Sequence, residues 1–439
     1  MKELKKNIGF SSALATIVGV VIGSGAFFKA AIIYETTKSM SLGTFAWILG
    51  GIISICGGVT TAELAAAIPK TGGMIVWIER AYGKKLSYLL GWTESVIYFP
   101  ACIAAISVIF STQILNIFHL DKFWYLPVAI ISATFATGLN LLGSKVGGSI
   151  QIVVTVCKLV PIIGIVIFGL FQTAPEKIEI FPSVELFDLN NVTSLGACLL
   201  ATMYAYDGWI DVGSIAGEMK NPKKDLPRAI FFGIFFTMLI YVFINVAFLK
   251  TIPLYQISGN HNSANLVATK LFGPIGGKII SLGILISMYG TLNGKIITGI
   301  RIPYAVAESD QIPGKSFWLK LNRFSMPYNC AIVMLIIAIG LMFTGKFDTL
   351  TDLLLFTIWL FYVLTFFAVF ILRKKEPNLE RPYKVPFYPV VPIIAILGGC
   401  YILIITLINS PLLAFCGIAC TLIGFIFYKD TFDKIFHRK

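Results

Sequence analysis

The chain alternates long apolar runs with short polar connections. About 20 apolar residues cross a bilayer as one helix. Twelve stretches meet or approach that length: 9–33, 42–67, 87–113, 124–142, 148–171, 193–217, 229–250, 271–300, 329–345, 348–372, 388–408 and 411–428. The longest polar connections, 172–192, 218–228, 301–328 and 373–387, are too short to hold a soluble module. The pattern predicts an all-α polytopic membrane protein with one transmembrane domain over 1–439. Spans 1–5 cover about 9–171, spans 6–10 about 193–372, and spans 11–12 about 388–428.

Two of the runs are interrupted. In VGVVIGSGAFF (18–28) the middle is Gly23-Ser24-Gly25, and each Gly in a helix interior costs roughly 1 kcal/mol against Ala. In YAYDGWIDVG (204–213), Asp207, Gly208 and Asp211 break the apolar pattern of span 6. Broken helices at corresponding positions of two halves point to an inverted-repeat transporter and to its binding site. A break at mid-membrane exposes free N–H groups on one half-helix and free carbonyls on the other. An α-amino acid, a carboxylate beside an ammonium, complements both. The N–H groups of Ser24, Gly25 and Ala26 are expected to hold the carboxylate. Carbonyls around Val21 and Ile22, and around Tyr204 and Ala205, are expected to hold the ammonium. Glycine at Gly23 and Gly25 lets the ligand approach the backbone. The plainer reading of the GSG triplet is a close helix–helix contact.

Composition agrees with the pattern. The chain is 57% hydrophobic and only 13% charged, with a mean hydropathy of +0.84. A net charge of +13 raises the question of nucleic acid, and the placement of the charges answers it. With the N-terminus inside, 25 of the 35 Lys and Arg fall on the inner side. Eight fall on the outer side: Lys29, Lys38, Lys122, Lys177, Lys250, Lys270, Lys278 and Lys346. This is the positive-inside bias of a cell-membrane protein with both termini cytoplasmic, with the lipid bilayer rather than nucleic acid as its surroundings. The 172–192 loop is acidic (Glu176, Glu179, Glu185, Asp188). The basic MKELKK start resembles a signal-peptide n-region, but the run after it is too long, and it reads as a retained helix.

The eight cysteines lie within or at the ends of apolar runs, without metal spacing, and read as small membrane-buried hydrophobes. His119, His261 and His437 are scattered. No metal, cofactor or enzyme motif emerges, and no repeated polar ring suggests a channel.

The motifs VGVVIGSGAFF (18–28), TTAELAAAIPKTGG (60–73), YAYDGWIDVGSIAGEMKNPKKDLPRAI (204–230) and GTLNG (290–294) carry a resemblance. The chain resembles the L-type amino acid transporter family of the amino acid–polyamine–organocation superfamily, especially its bacterial serine/threonine and alanine–serine–cysteine exchangers. The resemblance covers nearly the whole chain. It implies twelve helices in the leucine-transporter fold, with spans 1–5 and 6–10 as a 5+5 inverted repeat and helices 1 and 6 broken. It implies sodium-independent exchange of L-amino acids by alternating access. Gly23, Ser24 and Gly25 match the family's carboxylate-binding bend. Tyr204 matches its aromatic gate, and Ala205 to Trp209 match its unwound part of span 6. A tyrosine at Tyr241 contributes to the substrate site in related exchangers. Departures are Gly217-Glu218 for a usual acidic pair, Asp207 for a common Gly, and Lys295 for an uncharged residue. The family's animal members carry an outer-loop Cys after span 3. ILNIFHLDKF here has none, so no disulfide-linked heavy chain is expected.

Charges within spans are costly and default to functional readings. Lys158 lies in the apolar run IQIVVTVCKLVPIIGIVIF. In the fold that the resemblance implies, it lies where sodium-coupled relatives bind sodium. Its ammonium is then expected to bond carbonyls near Gly19 and an oxygen of span 8, Ser287. Asp207 and Asp211 suit the start of the second half of helix 6 as caps, the alternative for Asp207 being the pocket wall. Glu63 is expected to meet basic groups at an inner gate. Lys295 either pairs with an acid or snorkels inward. Ala205 and Gly208 leave space, and Tyr204 is bulky, which favours small neutral amino acids. The competing reading is a proton-coupled amino acid symporter with Lys158 as its titrating group.

Overall fold

The computed structural model describes residues 9–69, 73–179, 181–182, 189–210, 219–344 and 346–436. The described part is a helical bundle. Among the described residues seven helices are long and apolar enough to cross a membrane, and three shorter apolar helices accompany them.

The first apolar run is two helices. α1 (Phe10–Val21) ends where Ile22 turns extended, at φ −72° and ψ 104°. α2 (Gly25–Thr37) starts after Ser24. Next come α3 (Met40–Ala67), opened by Ser39, whose hydroxyl accepts the Leu42 N–H, and the short α4 (Met74–Tyr82). α5 (Lys84–Phe118) has a π-helical turn at Glu94–Tyr98. Pro100 follows that turn and has no N–H to offer the Val96 carbonyl, so the ladder widens there. α6 (Tyr125–Leu141) and α7 (Ser144–Leu170) come next. α8 (Leu189–Tyr206) stops at the second interruption. α9 (Pro222–Thr251), α10 (Ser263–Gly299), α11 (Tyr328–Met342), α12 (Phe347–Lys375), α13 (Val390–Asn409) and α14 (Pro411–Ile423) follow. α10 kinks at Gly273, where φ is 71° before Pro274.

Lipid gives apolar helices little reason to associate, so close backbone packing must hold them. α3 shows how. A Cβ added at Gly50, Gly51, Gly57 or Gly58 would come within 2.8 Å of Thr202, Met238, Phe366 or Ile230, respectively. These glycines let α8, α9 and α12 lie directly on α3. α2 packs on α8, α1 on α9, and α10 on α5 and α7. Trp47, Tyr206 and Tyr241, all buried, join α3, α8 and α9. Their ring centroids lie 5.1–6.3 Å apart, and the Tyr206 hydroxyl donates to the Trp47 carbonyl at 2.8 Å.

One end of the bundle is tied by charge. Glu63, 1% exposed, accepts two bonds from Arg373, at 2.8 and 2.6 Å. It also accepts the Val385 N–H at 2.8 Å and faces Arg381 at 3.5 Å. Nearby, Arg80 donates twice to Glu376, and that guanidinium holds the Glu376 carboxyl below its usual range. Its contribution is therefore present at neutral pH and is lost as pH falls through the carboxylate range. Replacing one partner of a buried bidentate pair strands the other. Glu63→Gln is expected to destabilise the detergent-solubilised protein by about 3 kcal/mol, read as a lowered Tm. An unchanged Tm would show that the pair contributes nothing.

Candidate functional site

α1 ends with four carbonyls that no helical N–H can reach, those of Gly19, Val20, Val21 and Ile22. Ile22 itself donates to Val18 at 3.0 Å. Three of the four are met by side chains from elsewhere. Lys158 of α7, 1% exposed, donates to the Gly19 carbonyl and to the Ile22 carbonyl at 2.8 Å. The Tyr241 hydroxyl of α9 lies 2.9 Å from the Val21 carbonyl and 2.7 Å from the Ala205 carbonyl of α8. One hydroxyl proton thus serves both interrupted helices.

On the other side of the break, Phe27 and Phe28 are the first intrahelical donors of α2, and both donate to Ser24. The N–H groups of Gly25 and Ala26 precede them and point out of the helix end. The second interruption lies against the first. A Cβ on Gly25 would stand 2.6 Å from Ala205 Cα. Gly208 has φ +108°, and a Cβ there would meet Val20 at 2.6 Å. Both glycines are required where they stand.

The two breaks, α5 and α10 enclose a cavity lined by Val20, Val21, Gly23, Ser24, Gly25, Cys102, Ile106, Tyr204, Asp207, Thr291 and Lys295. It leaves about 20 Å³ for solvent, room for about one water. A second cavity of about 190 Å³ shares Val20, Thr291 and Lys295 with it and continues past Gly19 and Ile297 to Thr298. Ser24 Oγ lies 3.1 Å from the Tyr204 hydroxyl, so Tyr204 is drawn over the first break.

Asp207 has a different role from capping. Its Oδ2 accepts from Lys295 Nζ at 2.7 Å and from the Tyr98 hydroxyl, and its Oδ1 accepts from the Tyr362 hydroxyl at 3.0 Å. Lys295 also lies 2.6 Å from the Tyr98 oxygen. Tyr98 sits on the π turn of α5, which turns its ring toward the second break. The acid–lysine alternative for Lys295 is therefore the one observed, and the cavity wall carries one carboxylate and one ammonium.

Of the expected site residues, Val21, Gly23, Ser24, Gly25, Tyr204 and Asp207 line the cavity. Ile22, Ala26, Ala205, Gly208 and Tyr241 lie directly behind that lining. Two expectations need correction. Lys158 takes the Ile22 carbonyl as its second partner, and Ser287 Oγ is buried with no hydrogen-bond partner. An unpaired helix-end carbonyl accepts more strongly than a hydroxyl. Lys29, counted among the outer-side charges outside the spans, lies inside α2 and is fully buried. Asp211, Gly217 and Glu218 fall outside the described residues. Tyr98, Cys102, Ile106, Thr291 and Tyr362 had not been singled out. Only the proline after Tyr98 offered a sequence signal.

A family model described as "Amino acid permease" matches residues 8–426. The chain is 39% identical over 421 residues to the serine/threonine exchanger SteT of Bacillus subtilis, covering 95% of this chain and 94% of that protein. It is 28% identical to the b(0,+)-type amino acid transporter 1 of Rattus norvegicus, covering 97% and 88%. It is 27% identical to the human cystine/glutamate transporter, covering 96% and 84%.

Proposed function

The chain belongs to the amino acid permease family, and from that premise we propose that it is a sodium-independent exchanger of small neutral L-amino acids. Amino acid transport follows from the family, whose members are transporters rather than enzymes. The finer reading rests on one observation: two interrupted helices meet at a cavity whose charged wall groups cancel. The substrate carboxylate docks on the N–H groups of Gly25 and Ala26, beside Ser24. Its ammonium faces the carbonyls of Val21, Ile22, Tyr204 and Ala205. Tyr241 and Lys158 hold three of these, and each carbonyl keeps a second lone pair. The twelve-helix, 5+5 inverted-repeat arrangement and cytoplasmic termini complete the reading. So does transport without a disulfide-linked heavy chain.

The cavity as it stands holds about one water, so a substrate must widen it. The adjoining cavity continues from the first to Thr298 and is read as the start of one route to water. Closing one route before opening the other is alternating access. Lys158 places its side-chain nitrogen among carbonyls at the end of α1, a position that suits a small cation. This supports transport without sodium.

The test uses purified protein in liposomes, with radiolabelled serine outside and no sodium. Uptake that requires unlabelled serine inside is the expected result. Uptake into empty vesicles driven by a proton gradient would overturn exchange and favour symport through Lys158.

Specificity follows from the wall charges. Lys295 offsets Asp207, so a substrate side chain meets no net charge. Lys295→Met leaves Asp207 to attract cations. Competition by lysine or arginine is expected to rise about tenfold relative to serine, equivalent to about 1.4 kcal/mol. The paired variant Asp207→Asn with Lys295→Met is expected to restore the neutral preference. An unaltered competition profile in both would remove these residues from selectivity.

A further inference from the structure

The start of α9 carries a basic face that the amino acid cavity does not use. Lys223, Pro227 and Phe231 form one row at four-residue spacing, and Lys224, Arg228 and Phe232 form the row beside it, so all six share one side of the helix. They face Tyr383 and Pro386, on the loop that follows α12, across an open cleft of about 620 Å³. Asp225, in the same turn, does not line it. Lys223 meets Glu380 of that loop at 2.7 Å. Among the described residues Lys224 and Arg228 have no ion-pair partner, and both are exposed. Further along α9 the same face is aromatic. Phe231 stacks on Phe235 at 6.1 Å and Phe232 on Phe236 at 6.2 Å, which carries both rows one more turn into the apolar length of the helix. Phe231, Phe232 and Phe236 are exposed. On the opposite wall Pro386 is followed by Phe387, 83% exposed, and Tyr388, residues of the kind that mark a membrane–water boundary.

These features select one class of occupant. Two unpaired cations at the membrane boundary attract a phosphate, and the rings beyond them offer the apolar surface that an acyl chain covers. A soluble anion would use the cations and leave the rings uncovered. A zwitterionic lipid brings its own ammonium beside the phosphate, and Lys224 and Arg228 repel it. We propose that the cleft binds one phospholipid of net negative charge. Its phosphate lies between Lys224 and Arg228, and an acyl chain runs along the two phenylalanine rows. The lipid then ties the start of α9 to the loop whose Val385 N–H donates to Glu63, so it braces the charged end of the bundle.

The test titrates the purified, detergent-solubilised protein with dioleoylphosphatidylglycerol and counts bound copies by native mass spectrometry. The parent is expected to hold one copy tightly. Lys224→Gln with Arg228→Gln is expected to lower that affinity about thirtyfold, from two cations at roughly 1 kcal/mol each. Lys224→Arg with Arg228→Lys keeps both charges and is expected to bind as the parent does. So is Lys320→Gln with Lys374→Gln, which removes the same charge from exposed positions outside the cleft. Dioleoylphosphatidylcholine is expected to bind the parent at least tenfold more weakly, and excess inorganic phosphate is expected not to displace the bound lipid. The altered side chains are exposed, and a monodisperse size-exclusion peak verifies the fold of each variant. Undiminished phosphatidylglycerol binding in the glutamine pair at the cleft overturns the proposal, and so does equal affinity for phosphatidylcholine. Displacement by inorganic phosphate would make the cleft a plain anion site and overturn the lipid assignment. The readout needs no amino acid, so the lipid site stands or falls separately from exchange.

Discussion

Gly25→Val is expected to abolish transport while the protein remains folded. The added Cβ would stand 2.6 Å from Ala205 Cα, 2.8 Å from its Cβ and 3.1 Å from its N. These are atoms of a packed helix end and cannot rotate aside, so α2 must move away from α8. The shift separates the two interruptions at the point where the carboxylate is proposed to bind, and valine's branches fill the approach to the N–H groups. Displacements of about 1 Å at a reacting or binding centre cost on the order of 100-fold in rate. Loss of exchange by at least that factor is the expected outcome. Gly340→Ala serves as the control, since a Cβ there meets nothing within 4 Å, and it is expected to transport normally. Serine binding separates a lost site from a lost fold. A ligand at about 100 times its Kd stabilises a protein by about 2.7 kcal/mol. That thermal shift should persist in Gly340→Ala and vanish in Gly25→Val. If Gly25→Val kept both exchange and the shift, the GSG triplet would be a packing contact and nothing more.

What the sequence revealed, and what it hid, divides along physical lines. The interruption at Gly23–Gly25 was legible because glycine weakens a helix wherever it stands. The reach of Lys158 to Gly19 was legible only through the family resemblance, which set this part of span 5 beside helix 1. Pairings between distant helices were not. Asp207 and Lys295 are 88 residues apart, and Lys29 and Asp348 are 319 apart; neither pairing follows from the local pattern of either segment. Lys29 was counted with the outer-side charges although it falls within the first run, and its burial was hidden because hydropathy does not show what a helix faces. Restarting the helix at Gly25 carries Lys29 inward. Ser287 was expected as a partner because the resemblance set span 8 beside Lys158. The carbonyl of Ile22, left free when α1 ends, was the stronger acceptor. Seven apolar helices reach spanning length among the described residues, fewer than the twelve runs in the sequence. One reason is that a broken span becomes two short helices.

Lys158→Ala carries the second large effect. The ammonium is the donor to two carbonyls at the end of α1, in surroundings that leave it 1% exposed. Each buried acceptor left without a partner costs roughly 1–3 kcal/mol. The loss falls on the segment that shapes the proposed ammonium site, so the break relaxes toward other partners. At about 1.4 kcal/mol per tenfold, a cost near 3 kcal/mol corresponds to about 100-fold, and exchange is expected to fall by at least that much. Lys158→Arg is not expected to restore it. A planar guanidinium presents a fork suited to carboxylates rather than a point charge between two carbonyls. Sodium makes the test sharper. With the ammonium gone, the Gly19 and Ile22 carbonyls and the unpartnered Ser287 hydroxyl are left as hard oxygen donors in the interior. If the ammonium occupies the place of a coupling ion, sodium should raise the residual exchange of Lys158→Ala several-fold and leave the parent protein unaffected. If sodium has no effect and proton-driven uptake disappears with the lysine, Lys158 carries protons, and the symport reading replaces exchange. Normal exchange in Lys158→Ala would instead make the ammonium a structural filler and remove it from the mechanism.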